Sequence, residues 1–250
     1  MKRPEPDLDP VDSTESSVRV SRRVALQGGA AAATALLIGA ARANADDPAG
    51  PDPFEALSKR WLELAAEVTA DADAALEERY LRRLGDLIAE LPPEQLPRRE
   101  RVVFDRDGMK TGPAWASGTT FLVELTLDPG AVIQAHDHPG FAVTTAVIEG
   151  EALCRQFEPD GDAPTSESRE VFRLREMSRS VLVPGRRSDL SRSRDNIHWF
   201  RAGEAGATLL DFTYRIGGTT RKFSALDLSD EPIAPARGIF EARWIGNPYK

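Results

Sequence analysis

This 250-residue chain has only three histidines, and their spacing bears on chemistry. His136 and His138 stand two residues apart. Residues i and i+2 of a β-strand share a face, so both imidazoles can aim at one point while Asp137 points the other way. Neutral imidazole is the commonest protein ligand for a transition metal. The third, His198, lies in Asp195-Asn-Ile-His-Trp-Phe200, which reads as a short buried strand. The pattern points to a three-imidazole metal site. The plainer alternative is a chance His-x-His on a strand plus one core histidine.

The elements that must position these side chains are mostly strands. Thr120 to Asp128 and Phe141 to Ile148 read as strands on either side of the His-x-His, framed by Gly130 and Gly150. From Arg101 onward the pattern is one of strands broken by Asp-Gly, Pro-Gly and Glu-Gly turns, which indicates a sandwich or barrel. Val171 to Met177, Ser180 to Val183 and Ala207 to Tyr214 are further expected strands, with a polar loop over 158–170. Before them, Phe54, Leu57, Trp61, Leu64 and Val68 recur at helical steps, as do Leu76, Tyr80, Leu84, Leu87 and Leu91. Asp71 or Asp73 can cap the second helix and Pro92-Pro93 stops it. This helical pair is expected to cover an edge outside the barrel; an oligomer contact is the alternative.

Gly130, five residues, His136-x-His138 and then Gly150 resemble the first motif of the cupins, the small double-stranded β-helix barrels. The resemblance covers about residues 100–225. It implies a mainly β fold, a cupin jelly-roll barrel carrying the N-terminal helical pair. A cupin usually adds a Glu four or five residues after the second histidine, but positions 142 and 143 are Ala and Val here. That absence is similar to the thiol dioxygenases, which hold iron with three histidines alone. His136-Asp-His-Pro-Gly-Phe141, Val147-Ile-Glu-Gly150, Asn196-Ile-His198 and Leu209-Leu-Asp-Phe212 look like the plant cysteine oxidase and aminoethanethiol dioxygenase group, and more distantly like cysteine dioxygenase. The resemblance implies Fe(II) on His136, His138 and His198. It also implies a reaction in which a thiol plus O2 gives a sulfinic acid. Three neutral ligands leave the iron its full charge, which favours a thiolate over a neutral ligand. The substrate is either a small-molecule thiol or an N-terminal cysteine. A cupin oxygenase acting on carbon and a non-catalytic metal- or ligand-binding cupin are the competing readings.

Other residues are candidates around that centre. Asp211 is an acid in an apolar run; it either orients a histidine, contacts the substrate amine, or bonds backbone at a barrel end. Phe141 and Trp199 flank ligands and are read as pocket wall or ordinary core. Twelve residues separate Gly185 from His198, with Arg186, Arg187, Arg192 and Arg194 among them. They are either a solvated basic loop or an arginine lid for a substrate carboxylate, with Arg186 and Arg187 as substrate-binding candidates. Tyr214 is a weaker candidate. Cys154 is the only cysteine, so no intrachain disulfide forms; it lies in a strand-like run from Ala152 to Phe157 and reads as a buried small apolar residue.

The ends read differently. Residues 1–45 resemble a twin-arginine export signal: Ser21-Arg22-Arg23-Val-Ala-Leu26, an apolar run from Gly28 to Ala41 and an Ala43-Asn-Ala45 cleavage site. The apolar run is short for a membrane span, so export to the periplasm or beyond is expected, without stable membrane association after cleavage. A single-pass anchor or a disordered tail is the alternative. Residues 46–99 are expected to hold a linker and the helices, 100–225 the barrel, and 226–250 an irregular tail docked through Phe240, Trp244 and Tyr249. A formal charge of −8 without a Lys/Arg block argues against nucleic acid as a partner.

Overall fold

The computed structural model describes residues 52–194, 196–217 and 223–246; the export signal and Tyr249 lie outside them. Helix α1 (Pro53–Ala66) starts at Asp52, whose carboxylate accepts from the Phe54 amide, 2.9 Å away. Helix α2 (Ala74–Ala89) starts at Asp73, which accepts from the Leu76 amide at 2.8 Å. Each cap satisfies an amide that the first helical turn leaves without an intrahelical partner. Among the described residues no helix is long and apolar enough to cross a membrane.

Ten strands follow: β1 (Phe104–Arg106), β2 (Met109–Ser117), β3 (Thr120–Leu127), β4 (Val132–Asp137), β5 (Phe141–Pro159), β6 (Val171–Leu182), β7 (Arg187–Leu190), β8 (Ile197–Arg215), β9 (Ala225–Leu228) and β10 (Ile239–Gly246). They form one sheet in the order β1-β2-β3-β8-β4-β9-β10-β6-β5-β7. An additional pairing of β5 with β8 closes it on itself. Two separate strands were expected where β5 runs, around 141–148 and 152–157, and two where β8 runs. The structure joins each pair into one 19-residue strand. Gly150 in β5 and Gly206 in β8 bend these strands without ending them: their φ values are +70° and +80°, and the β5–β8 register shifts beside Gly150. The C-terminal segment also differs from expectation. It is not irregular, because β9 pairs with β4 and β10 pairs with β6, so both belong to the closed sheet.

Gly150 also carries a prediction. A Cβ there would lie 2.1 Å from the Gly206 carbonyl oxygen, a backbone atom that cannot swing aside. Gly150→Ala adds that collision to a left-handed conformation costing about 1–3 kcal/mol in strain, so a loss of at least that size is expected in chemical unfolding. A loss below about 0.5 kcal/mol would mean that β5 and β8 do not approach this closely.

Alternation along β8 separates three cores. Leu210 and Phe212 face the helices with Trp61, Leu64, Tyr80 and Leu84. Phe200 and Leu209 face a cluster with Leu127, Val147 and Cys154. Ile197 faces Phe157, Phe240 and Trp244. The helical pair therefore covers the outer barrel wall, with Tyr214 donating its hydroxyl to the Val68 carbonyl at 2.7 Å.

Candidate metal centre

β4 and β8 run antiparallel with His136 directly opposite His198. His138 follows β4 at the start of the turn that returns the chain to β5, where the Phe141 amide donates to its carbonyl at 3.1 Å. The strand logic read from the sequence thus holds: Asp137 points away and accepts from the Ser224 amide at 2.8 Å, stapling the approach to β9.

The three imidazoles converge. His198 Nε2 lies 2.8 Å from His136 Nε2 and 3.0 Å from His138 Nε2. His136 Nδ1 is 2.7 Å from the Gln134 carbonyl oxygen, so it carries the proton and leaves Nε2 as a bare lone pair. Desolvation drives the His136 pKa down to about 4 and those of His138 and His198 well below the usual value. All three are therefore neutral at neutral pH. One Nε2–H cannot serve two neighbours, and the buried His198 Nδ1 has no hydrogen-bond partner. A cation among the Nε2 atoms would resolve the crowding of lone pairs, so this donor set fits a metal ion. The group consists of His136, His138 and His198, without a carboxylate among the described residues.

Around the group the structure selects among the candidates. Phe223 packs on His136 and His138, at 4.8 and 5.7 Å between ring centroids, and Phe200 on His198 at 4.6 Å. These two rings, unlike Phe141 and Trp199, wall the imidazoles. Phe141 meets Phe121 at 6.1 Å and the Arg215 guanidinium at 5.2 Å. Trp199 is one residue from His198, hence on the other face of β8, under the Arg155 guanidinium at 5.5 Å. Phe200 was findable, being two residues from His198; Phe223 offered no periodic signal.

Asp211 faces the barrel side of β8, as Leu209 does, and accepts from the Thr145 hydroxyl at 2.6 Å. It does not orient His136, whose Nδ1 is held by backbone. Burial pushes its pKa up to about 6. The folded protein therefore holds this proton where the unfolded chain has already released it, so this contribution to stability falls as pH rises from about 4 to about 6. Asp211→Asn is expected to unfold at a higher temperature than wild type at pH 7.5 and to converge with it near pH 4.5. Equal melting temperatures at pH 7.5 would refute the raised pKa. Burial likewise pushes the Cys154 thiol up to about 12, beside Ser188, so it is inert as a nucleophile.

The arginine segment is not a lid over the histidines. Arg187 lies against α2: a Cβ on Gly85 would be 1.9 Å from its Cζ. Arg192 donates to the carbonyls of Ala70 and Ala72, both at 2.7 Å, and to Glu77. Arg194 donates to Glu78 at 2.7 Å. Arg186 is exposed in the turn after β6.

The pairing of β4, β5, β6 and β8 into a closed, bent sheet decides the fold. The architecture is a cupin double-stranded β-helix. No family model and no curated protein matches the chain. Among solved structures the cupin barrel is similar to KdgF from Halomonas sp., at 16% identity over 46% of this chain and 88% of that one, with a TM-score of 0.34. A protein with a double-stranded β-helix domain from Klebsiella pneumoniae matches at 15% identity, over 54% and 94% of the two chains, with a TM-score of 0.36. Pumpkin seed globulin matches at 13% identity, over 52% and 32%, with a TM-score of 0.39.

Proposed function

We propose that this cupin is an Fe(II)-dependent thiol dioxygenase, converting R–SH and O2 to R–SO2H with both oxygen atoms placed on sulfur. The observation that carries the reading is the convergence of three neutral imidazoles with no carboxylate in the group. His136, His138 and His198 would hold the iron, which when bound supplies Lewis acidity toward the thiol and redox reactivity toward dioxygen. The chain's own residues then do the rest. The Gln134 carbonyl fixes the His136 tautomer. Phe223 and Phe200 exclude water from the ring edges. Asp211, held by the Thr145 hydroxyl and ionised above about pH 6, is the residue we assign to the substrate amine. The thiol is a small molecule or an N-terminal cysteine, and the enzyme acts after export.

The test is oxygen uptake by the iron-loaded protein against cysteine, cysteamine, a mercapto-acid and a Cys-initiated peptide, with products weighed for two added oxygens. A sulfinate from one thiol supports the proposal. Silence across the panel, with iron confirmed on the three histidines, overturns it in favour of a carbon oxygenase or a non-catalytic metal-binding cupin.

A further inference from the structure

Residues 191–194 and Asn196 stand just before His198 in the sequence, and they are held from two sides. On the outer side, the Arg192 guanidinium bridges the α1–α2 connection and the first turn of α2, through the Ala70 and Ala72 carbonyls and Glu77. Ser193 Oγ reaches the second Glu77 oxygen at 3.4 Å, and Arg194 pairs with Glu78. On the inner side, Asn196 takes the His138 amide on both its side-chain and main-chain oxygens, at 2.9 and 3.2 Å. Polar contacts thus tie residues 192–194 to α2 and tie Asn196 to the backbone of one candidate ligand, two residues before another.

The Glu77–Arg192 pair is unlike the others on the helices. Arg60–Glu90 is half-exposed on both sides, whereas the Glu77 side chain is 1% exposed. Burying a carboxylate carries a desolvation cost that an apolar pair of the same volume would not. What an ion pair adds over an apolar one is direction: the planar guanidinium fits one arrangement of two carbonyls and a carboxylate. A contact built that way holds Arg192 and its neighbours up to Arg194 in a single arrangement against the helices.

We propose that the helical pair is a positioning element of the metal site, with Glu77, Arg192 and Asn196 as positioning residues. Their contacts set the separation of His138 from His198. The proposal rests on the reading of the three histidines as metal ligands.

The test uses Co(II), titrated into the metal-free full chain and followed by its visible absorption, which reports coordination geometry independently of turnover. Glu77→Gln keeps the shape and loses the charge. Arg192→Lys loses the fork to the two carbonyls. Asn196→Ala removes the side-chain acceptor of the His138 amide and leaves only the longer main-chain one, without touching the helices. Each is expected to weaken Co(II) binding by about 10–100-fold, the range seen when a group supporting a ligand is removed, and to change the band positions. Arg60→Ala, which cuts an inter-helix pair remote from this path, is expected to leave both unchanged. If wild type binds Co(II) and Arg192→Lys and Asn196→Ala bind it with the same affinity and spectrum, the proposal is wrong, even where melting temperatures drop. If wild type binds no Co(II), the metal site itself falls and the proposal with it.

Discussion

His198→Ala is expected to abolish tight metal binding. The loss should exceed the roughly 10–100-fold that follows removal of a group behind a ligand, because a direct donor disappears from a group of three. The position of His198 makes its effect larger than a count of ligands implies. Its Nε2 lies close to both of the others, at 2.8 and 3.0 Å. Without it, His136 and His138 remain as an i, i+2 pair, which offers two donors and no closure. Metal content after loading and dialysis, and Co(II) titration, are the measurements. Stoichiometric metal retained by the variant, with unchanged absorption, would sink the site assignment.

Trp61→Ala is expected to cost about 3–5 kcal/mol, the range for deleting a large buried aromatic. Trp61 is fully buried, packs on Trp115 and Phe212 at 5.4 and 5.3 Å, and donates its indole N–H to the Tyr80 hydroxyl at 2.9 Å. The truncation opens a cavity between α1 and the barrel and leaves Tyr80 without that donor. Trp61→Phe keeps most of the packing and loses only the hydrogen bond, so about 1–2 kcal/mol is expected. Denaturant midpoints of both variants against wild type give the comparison. A loss below about 1 kcal/mol for Trp61→Ala would mean that the helices do not dock as described.

Much of this was legible because it is periodic. The i, i+2 spacing of His136 and His138, the heptad-like steps around Trp61 and Tyr80, and the Asp73 cap all depend on neighbours in sequence. What escaped depends on residues far apart. The continuity of β5 through Gly150 is set by the close approach of Gly206. The C-terminal strands look irregular alone, since β10 becomes strand by pairing with β6. The arginines before His198 were read against solvent or substrate, whereas their partners are Glu77, Glu78 and two carbonyls over a hundred residues earlier. No local pattern marks which carboxylate an arginine will meet. Asn196, by contrast, was noticed for its motif, and its job on the His138 amide needed the fold.

The long strands have a kinetic consequence. β5 and β8 pair from Phe157 with Ile197 out to Phe141 with Arg215, so the centre of the barrel is made of contacts remote in sequence. Such contacts form slowly, because chain entropy is lost before they give any return. α1 and α2 meet through near neighbours and can be in place early. His136 and His198 come into register only when β4 docks on β8, and a pairing so distant in sequence is expected to form late. A metal ion at the three histidines is therefore expected to have little to hold in the folding transition state. Its binding should leave the refolding rate nearly unchanged and appear almost wholly as slower unfolding.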